Sequence, residues 1–414
     1  MSRHVVIVGG GVIGVACAHY LSAAGRQVTV IDQGTIGGAC SHGNCGYISP
    51  SHVLPLTEPG MLGMAIKSLL KSDAPFRIRP RLDPALLYWF WQFSRRCNYQ
   101  DMLAAAPAIQ GLLLSSISEY QRLMTSEPLN CEWERAGLLC VYQNRDKFEH
   151  FDQTNVLLRD QFNTPARRMD ADELATFEPA LKPGAVGAWF YEQDQHLRPD
   201  KLMSEWRRLL TERGVVFREQ VRVQGLTRIS GAAVNVRTTR GDIAADDFVI
   251  ALGAWSPQLQ DELGCKLPIQ PGKGYSITMP RPGKCPRRPL IFPEVKVAIT
   301  PWSSGYRIGS TMEFSGYDTT LRPERLGLLR RGAARFLLEP YGEEVREEWY
   351  GWRPMTWDSV PIVDRSPRFD NVHIAAGHNM LGISMAPGTG KLVAELVTGA
   401  TPHLDPKPYS VSRF

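Results

Sequence analysis

The alternation of hydrophobic and polar residues predicts a strand, a helix and a second strand at the beginning of the chain. His4 to Val8 is a short apolar run of the β type. Val12 to Ala24 carries apolar residues at helical spacing, and Gly25 follows it as a stop signal. Gln27 to Ile31 is a second β-type run. A β-α-β unit is therefore expected here, and the glycines inside the apolar run argue against a secretory signal peptide.

Apolar runs predict four further elements later in the chain. Phe248 to Leu252 has the pattern of a buried strand, and Gly253 ends it. Glu348 to Trp352 and Val372 to Ala375 are further strand candidates, and a helix is expected from about Thr389 to Val397 after a glycine-rich turn. By contrast, small residues and glycines predict a long loop over residues 37–56.

Three glycines between the first strand and the first helix predict a nucleotide site. Gly9, Gly11 and Gly14 form Gly-x-Gly-x-x-Gly at the start of the helix, and Asp32 ends the second strand. This arrangement allows a tight turn, a close approach of the backbone to a pyrophosphate, and close helix–strand packing. The acidic residue would bind a ribose hydroxyl, which argues against NADP but leaves FAD and NAD open.

Length and charge narrow the class of protein. A chain of 414 residues is longer than one hydrophobic core usually supports, so two domains are expected. The 47 basic and 42 acidic residues give a net charge of +5, too small to indicate nucleic-acid binding. Every apolar run is broken well before about 18 residues, so no membrane span is expected. The eight cysteines form no C-x-x-C pair or metal-ligand pattern, which favours reduced thiols in a cytosolic protein and no metal site.

Six motifs spread over nearly the whole chain resemble the FAD-dependent D-amino-acid oxidase/dehydrogenase superfamily, and within it bacterial D-amino-acid dehydrogenase small subunits. They are VVIVGGGVIG, SHGNCGYISP, DDFVIALGAWS, PGKGYSITMP, GWRPMTWDSVPIVD and GHNMLGISMAPGTGKLVAEL. Residues 57–180 match poorly. The resemblance implies an α/β plus β fold, with a Rossmann-like FAD-binding domain and a discontinuous β-sheet substrate domain.

The resemblance implies that both domains are discontinuous in sequence. The FAD-binding domain is expected to comprise residues 1–56, 190–268 and 352–414. The substrate domain is expected to comprise residues 57–189 and 269–351.

The resemblance also implies a set of residues that hold FAD through the diphosphate, the ribose, the adenine and the isoalloxazine ring. They are Gly9, Gly11, Val12, Ile13, Gly14, Asp32, Gln33, Cys40, Ser41, Cys45, Gly46, Tyr47, Val223, Gly253, Asn379, Met380, Leu381, Gly382 and Ile383. Sarcosine oxidases attach flavin through a cysteine near the position of Gly351. Because no cysteine follows Cys285, non-covalent FAD is expected here.

Three residues are candidates for the substrate site. The resemblance places Arg353 where the family binds the substrate carboxylate, and a guanidinium binds a carboxylate through two hydrogen bonds. Tyr275 is a candidate pocket hydroxyl and His52 a candidate polar wall. The alternative for the arginine is a surface ion pair with a nearby acid, Glu343, Glu344, Glu347 or Glu348.

The resemblance implies oxidative deamination of a D-amino acid to the 2-oxo acid and ammonia. Hydride would pass to flavin N5, and the electrons would go to an acceptor other than oxygen. Asn379, Met380 and Leu381 stand where glycine oxidases carry a second arginine, which favours a bulkier or less charged substrate. A dehydrogenase or oxidase of a secondary amine (D-hydroxyproline, proline or sarcosine) and a non-catalytic flavin-bearing subunit remain alternatives.

The segment 61–100 combines aromatic and basic residues. Leu86 to Phe93 is dense in Leu, Tyr, Trp and Phe, and arginines flank it at 77, 79, 81, 95 and 96. A helix facing the core of the substrate domain is the simpler interpretation. The alternative is a surface that meets anionic lipid and a membrane quinone, which would make a cytoplasmic protein peripheral on the inner face of the cell membrane. A homo- or hetero-oligomer is compatible with either interpretation.

Overall fold

The computed structural model describes residues 2–60, 63, 74–79, 81–229 and 232–414. In chain order the strands are β1 (His4–Val8), β2 (Gln27–Ile31), β3 (Tyr47–Ile48), β4 (Phe76–Ile78), β5 (Leu138–Tyr142), β6 (Arg167–Asp170), β7 (Gly187–Tyr191), β8 (Gln195–His196), β9 (Val216–Arg218), β10 (Val223–Ile229), β11 (Ala232–Thr238), β12 (Ile243–Ala244), β13 (Asp247–Ile250), β14 (Ile269–Met279), β15 (Leu290–Phe292), β16 (Val297–Trp302), β17 (Gly305–Phe314), β18 (Glu347–Thr356), β19 (Ile362–Arg365) and β20 (Val372–Ala376). The α-helices are α1 (Val12–Ala23), α2 (Pro84–Arg95), α3 (Tyr99–Ser126), α4 (Arg145–Phe162), α5 (Ala171–Phe177), α6 (Pro199–Glu212), α7 (Gln260–Leu263), α8 (Pro323–Phe336) and α9 (Gly382–Thr398).

The first main sheet has six strands in the order β19-β20-β13-β1-β2-β9. Its strands pair in parallel except for β19, which is antiparallel to β20. Four residues of β1 are buried, because helices and loops cover both faces of a parallel sheet. The carboxyl ends of β1, β2 and β13 meet at one edge, and in open α/β sheets ligands bind at that edge.

The second main sheet has nine strands in the order β18-β14-β17-β16-β15-β5-β7-β6, with β4 also paired to β17. Apolar side chains on one face of it pack with α8 into a buried cluster. β18 is the edge strand and crosses the expected domain boundary at 351/352, as β7 crosses the one at 189/190. The mixed α/β and β architecture agrees with the expected fold class, while the division into domains stays a prediction.

The last helix begins seven residues earlier than the sequence pattern indicates. α9 starts at Gly382 and passes through Pro387 and Gly388, where the pattern predicts a turn, and through Gly390, which lies in the predicted helix. A Cβ on Gly390 would lie 2.6 Å from the backbone carbonyl carbon of Ala16, so this glycine allows α9 to pack directly on α1. The glycines at the start of α9 therefore allow close helix packing and do not interrupt the helix.

Two strand predictions differ in extent from the structure. The strand expected at Phe248 to Leu252 is β13, which ends at Ile250, before a 3₁₀ turn over Gly253–Leu259. The strand expected to end at Trp352 continues to Thr356, so Arg353 lies within β18. Pro354 is accommodated there because an edge strand does not need every backbone donor.

Two helices bear on the membrane question. Among the described helices, α3 alone is long and apolar enough by composition to cross a bilayer. Core helices of soluble proteins pass the same test, and α3 packs on α9: Ser116 Oγ accepts from Gly388 N at 2.9 Å and Glu119 pairs with Lys391 at 2.8 Å. α2 buries Leu86 and Trp89 against the sheet but exposes other apolar side chains. The expected aromatic segment also includes residues 61–62, 64–73 and 80, which lie outside the described residues.

Candidate cofactor and substrate site

The glycine turn after β1 is shaped by close backbone contacts. Gly9 has φ +112°, and a Cβ there would lie 2.3 Å from the carbonyl oxygen of Ala251. A Cβ on Gly14 would lie 1.9 Å from the carbonyl oxygen of Gly9. Both positions therefore require glycine, and α1 can begin directly beneath the turn. Its first N–H groups face a site suited to a diphosphate.

Asp32 is held rigidly at the end of β2. One carboxylate oxygen accepts from the N–H of Gly10 at 2.7 Å and the other from the N–H of Gly34 at 2.8 Å. Each oxygen keeps a lone pair, so the carboxylate can also accept from ribose hydroxyls. The two backbone bonds fix the carboxylate before any ligand arrives.

One cavity of about 860 Å³ lies at this edge of the six-stranded sheet. Its size suits a large cofactor. Most of the residues expected to hold FAD line it: Gly9, Gly11, Val12, Ile13, Asp32, Gln33, Cys40, Ser41, Val223, Gly253, Asn379, Met380, Gly382 and Ile383, together with Arg353. The chain thus brings segments from both its ends to one cavity.

Five expected FAD contacts are not among the residues that line the cavity. Gly14 lies beneath the glycine turn, and Leu381 packs on the core beside α1. The Tyr47 hydroxyl donates to the carbonyl oxygens of Leu290 and Ile299, so its side chain points into the nine-stranded sheet. The other two are Cys45 and Gly46.

Cys45 and Gly46 anchor the loop over residues 37–56 to the rest of the chain. The carbonyl of Cys45 accepts from Thr300 Oγ1 at 2.7 Å. Gly46 has φ +78°, and a Cβ there would lie 2.0 Å from the carbonyl oxygen of Leu197. Burial raises the pKa of the Cys45 thiol, although Arg307 and Arg353 oppose that shift. These residues position the segment that lines the cavity through Cys40, Ser41 and Asn44.

Arg353 is a half-buried cation that lines the cavity and has no anionic partner in the described part of the chain. Its Nη1 donates to the carbonyl oxygen of Thr311 at 2.8 Å. Burial lowers the pKa of its guanidinium, and the neighbouring Cys40 and Cys45 thiols oppose that shift. A Cβ on Gly274 would lie 2.2 Å from Nη1, so this glycine gives the guanidinium its place.

The acids considered as surface partners of Arg353 are not bound to it. Glu347 pairs with His42 and Glu348 with Arg330, each at 2.7 Å. No ion pair of the described residues joins Arg353 to Glu343 or Glu344 either. The guanidinium therefore faces the cavity without a carboxylate of its own, an arrangement that favours an anionic ligand there.

Tyr275 lies on the other face of β14. Successive side chains of a strand point to opposite faces, and Gly274 already faces Arg353. The Tyr275 hydroxyl donates to Glu313 Oε2 at 2.8 Å and is buried away from the cavity lining. This placement does not favour a substrate contact, and the alternation along β14 was the sequence signal that could have indicated it.

His52 is half-buried and belongs to a short hydrogen-bonded chain. Its Nδ1 lies 3.3 Å from Ser51 Oγ, which donates to Asp194 Oδ2 at 2.7 Å. Burial lowers the pKa of His52 to about 4, so its ring is neutral near pH 7. His52 is not among the residues that line the cavity, and its role as a polar wall of the substrate site stays a prediction.

The structure adds residues that sequence reasoning had not singled out. Trp255, Trp352, Asn44 and His378 line the cavity. His378 Nε2 lies 3.0 Å from Thr389 Oγ1, and burial lowers the pKa of the ring to about 3. The two tryptophans stood inside the quoted motifs, but only the fold shows which side chains of a motif reach the ligand.

Comparison with known proteins identifies the family. A model of the FAD dependent oxidoreductase family matches residues 4–396. D-amino acid dehydrogenases of Chromohalobacter salexigens and Methylobacterium nodulans are each 33% identical to the chain, and each alignment covers 99% of both proteins.

Solved structures share the fold. Glycine oxidase from Geobacillus kaustophilus has a TM-score of 0.80 at 22% identity, covering 100% of both chains. L-proline dehydrogenase from P. horikoshii has a TM-score of 0.76 at 21% identity, covering 100% of this chain and 98% of its own. The resemblance and the fold class expected from the motifs are confirmed, and the chain belongs to the FAD dependent oxidoreductase family.

Proposed function

We propose that this FAD-dependent oxidoreductase deaminates a D-amino acid oxidatively. The products are the 2-oxo acid and ammonia, and the electrons pass to an acceptor other than oxygen. FAD, bound without a covalent link, supplies the hydride acceptor. The names of the relatives aligned over their full length support the substrate class.

The observation that carries the proposal is the unpaired guanidinium of Arg353 inside the cofactor cavity. A carboxylate bound there through two hydrogen bonds would fix the position and the rotation of an amino acid. The same contact would neutralise a charge that the described residues leave uncompensated. Arg353 thus holds the substrate so that its α-hydrogen faces the flavin, and such positioning supplies much of the rate.

Anaerobic bleaching of the oxidised-flavin absorbance tests this proposal. The FAD-loaded protein is mixed with D-amino acids, L-amino acids, sarcosine and D-hydroxyproline in turn. We expect D-amino acids to bleach the flavin, and Arg353→Met to raise the substrate Kd roughly ten- to a hundredfold because a charge-assisted contact is lost. Arg159→Met, at an exposed arginine of α4 that pairs with Asp160, is the matched control and keeps the wild-type Kd.

Each other outcome contradicts a specific part of the proposal. Bleaching by secondary amines alone would assign the protein to the hydroxyproline or sarcosine branch. FAD-loaded protein that no amine bleaches would favour a non-catalytic flavin-bearing subunit. Equal Kd values for Arg353→Met and the wild type would remove the carboxylate contact.

The proposal includes a location at the cytoplasmic face of the membrane, close to a quinone. All eight cysteines are free thiols, in keeping with a reducing compartment. α2 exposes Leu87, Tyr88 and Trp91, with exposed fractions of 64%, 48% and 50%. A helix that buries one face in the protein and exposes aromatic and basic side chains on another suits the surface of a bilayer.

A further inference from the structure

A second recess adjoins the cofactor cavity. It measures about 330 Å³ and shares Gly38, Ala39, Cys40, Trp255 and Trp352 with the cavity. Since Arg353 follows Trp352 and lies near the Cys40 thiol, the recess meets the cavity at the end where the substrate carboxylate is proposed to bind. Its remaining walls belong to this recess alone: Leu321, Glu348, Trp349, Tyr350 and Gly351.

Aromatic rings dominate this recess and support one another. Trp352 meets Trp255 and Tyr350 edge to face, with ring centroids 5.5 Å and 5.4 Å apart. Trp255 in turn stacks on Tyr317 at 6.1 Å. Rings fixed in this way offer π surfaces to a flat ligand at little cost in side-chain entropy.

Trp349 forms a rigid wall of the recess. A Cβ on Gly43 or on Gly351 would lie 2.0 Å or 2.2 Å from its indole ring, so the two glycines let the ring lie flat on the backbone. This close contact fixes the orientation of a large aromatic side chain that does not line the cofactor cavity. Trp349 therefore gives the recess a wall that is not part of the cofactor cavity.

The charge and the hydrogen-bond donors of the recess indicate a neutral ligand with a polar edge. Glu348 is the charged side chain of its lining, and Arg330 pairs with it at 2.7 Å. The indole Nε1 of Trp352 is buried and has no hydrogen-bond partner in the described part of the chain. Trp352 lines both the recess and the cofactor cavity, and a ligand carbonyl oxygen that reaches this donor would satisfy it.

The geometry points to this aromatic recess as the docking site of a neutral, planar quinone that reoxidises the flavin. The inference rests on the proposed function, because the substrate must first reduce the cofactor. In the step, the quinone takes two electrons and two protons from the reduced flavin and leaves as the hydroquinone, and oxidised flavin remains. Reduced flavin is the sole reductant needed.

Reoxidation by duroquinone, a soluble tetramethylbenzoquinone, tests the inference without an amino-acid substrate. The FAD-loaded protein is reduced photochemically without oxygen and mixed with duroquinone, and the return of the flavin absorbance gives a second-order rate. Trp349→Leu removes the aromatic wall, so we expect this rate to fall roughly three- to tenfold. Trp349→Phe keeps a ring and stays near the wild-type rate, and Tyr99→Leu, at an exposed aromatic residue at the start of α3, is the matched control.

Equilibrium binding provides a readout that is independent of turnover. Oxidised protein and duroquinone do not react, so titration calorimetry measures the affinity directly. We expect Trp349→Leu to weaken binding by the same factor. Leu321→Trp, which places a larger side chain in the lining of the recess, should abolish binding even if Trp349→Leu folds poorly.

Three outcomes would overturn the inference. Wild-type reoxidation and binding in Trp349→Leu and Leu321→Trp would show that the quinone docks elsewhere. Slower anaerobic reduction by the amino acid with unchanged reoxidation would make the recess a route for substrate. Duroquinone that neither binds nor reoxidises the wild-type protein would exclude a quinone. Because photochemical reduction replaces the amine, failure of the proposed D-amino-acid activity is detected separately.

Discussion

A single buried carboxylate, that of Asp194, sets a pH dependence for the fold. Asp194 is 1% exposed and accepts from the N–H of Ser51 at 3.3 Å and from its hydroxyl at 2.7 Å. No ion pair of the described residues includes it; the titratable groups near it are the Cys140 thiol, the Tyr191 hydroxyl and, through Ser51, His52. Burial raises the pKa of Asp194 to about 7, despite the hydrogen bonds from the serines.

We expect Asp194→Asn to flatten the pH dependence of stability. The native state keeps the Asp194 proton up to about pH 7, while the unfolded chain loses it near pH 3.8. Between these two pH values the native state binds more protons than the unfolded chain. The free energy of unfolding therefore falls as pH rises, by up to about 4 kcal/mol. Urea unfolding at a series of pH values measures this slope. Asp152→Asn, on the exposed side of α4, is the control, and equal slopes for all three proteins would contradict the expectation.

At the residue scale, sequence reasoning found chemistry but not orientation. The motif around Arg353 identified the residue, and the fold then showed a half-buried guanidinium in the cavity without a carboxylate partner. Tyr275, by contrast, sits one residue away from the glycine that faces Arg353, so its hydroxyl points to the opposite face of β14. A shift of one residue along β14 thus decides whether a side chain points toward Arg353 or away from it. Short motifs do not reveal which face of a sheet meets the ligand.

At the element scale, Gly382 and Gly388 show how composition misled the prediction of where α9 begins. Gly388 and Gly390 lie against α3 and α1, where backbone atoms approach closely. Propensity alone places glycine in turns, but packing of two helices at short distance overrides it. β1, α1 and β2 carried no such conflict, and the sequence predicted β1 and β2 in full and α1 to within one residue.

We expect Gly390→Ala to destabilise the protein, although alanine is the better helix former. The added methyl group would lie 2.6 Å from the backbone of Ala16, and overpacking of this kind costs roughly 1–3 kcal/mol. Gly327→Ala in α8 is the matched change, because a Cβ there meets only the end of the flexible Arg331 side chain at 3.1 Å. It should be neutral or stabilise by up to about 1 kcal/mol. Urea midpoints compare the two, and an equal or higher midpoint for Gly390→Ala would refute the packing argument.

At the scale of the whole molecule, the sequence predicted a Rossmann-like unit and a second β-sheet. It did not predict that a strand of the second sheet lines the cavity beside the first. Arg353 belongs to β18, a strand of the nine-stranded sheet, and also lines the cavity beside the six-stranded sheet. The length of a strand depends on the distant segment with which it pairs, and β18 pairs with β14 from Ile269 to Thr278. Local pattern cannot supply such pairing, so the boundary between the predicted domains fell inside a strand.

Attachment to a membrane is a property of the whole surface and is measured with vesicles. α2 exposes Leu87, Tyr88 and Trp91, while Arg95 stacks over Trp91 at 4.9 Å. We expect the FAD-loaded protein to sediment with vesicles of phosphatidylglycerol, and replacement of the three apolar residues by serine to reduce the bound fraction roughly tenfold or more. Val216→Ser, at an exposed position of β9, is the control. Equal sedimentation of the triple variant and the wild type, or no sedimentation of the wild type, would show that this surface does not bind the vesicles.

The packing of α1 on α9 has a consequence for the order of events during synthesis. The glycine turn and α1 leave the ribosome first, but the cavity also needs residues near Asn379 and the helix that follows them. A nascent chain that has completed β1, α1 and β2 still exposes the face of α1 that Gly390 will cover. We therefore expect capture of FAD to follow translation of α9, and premature termination before α9 to leave the nucleotide turn with an open flank.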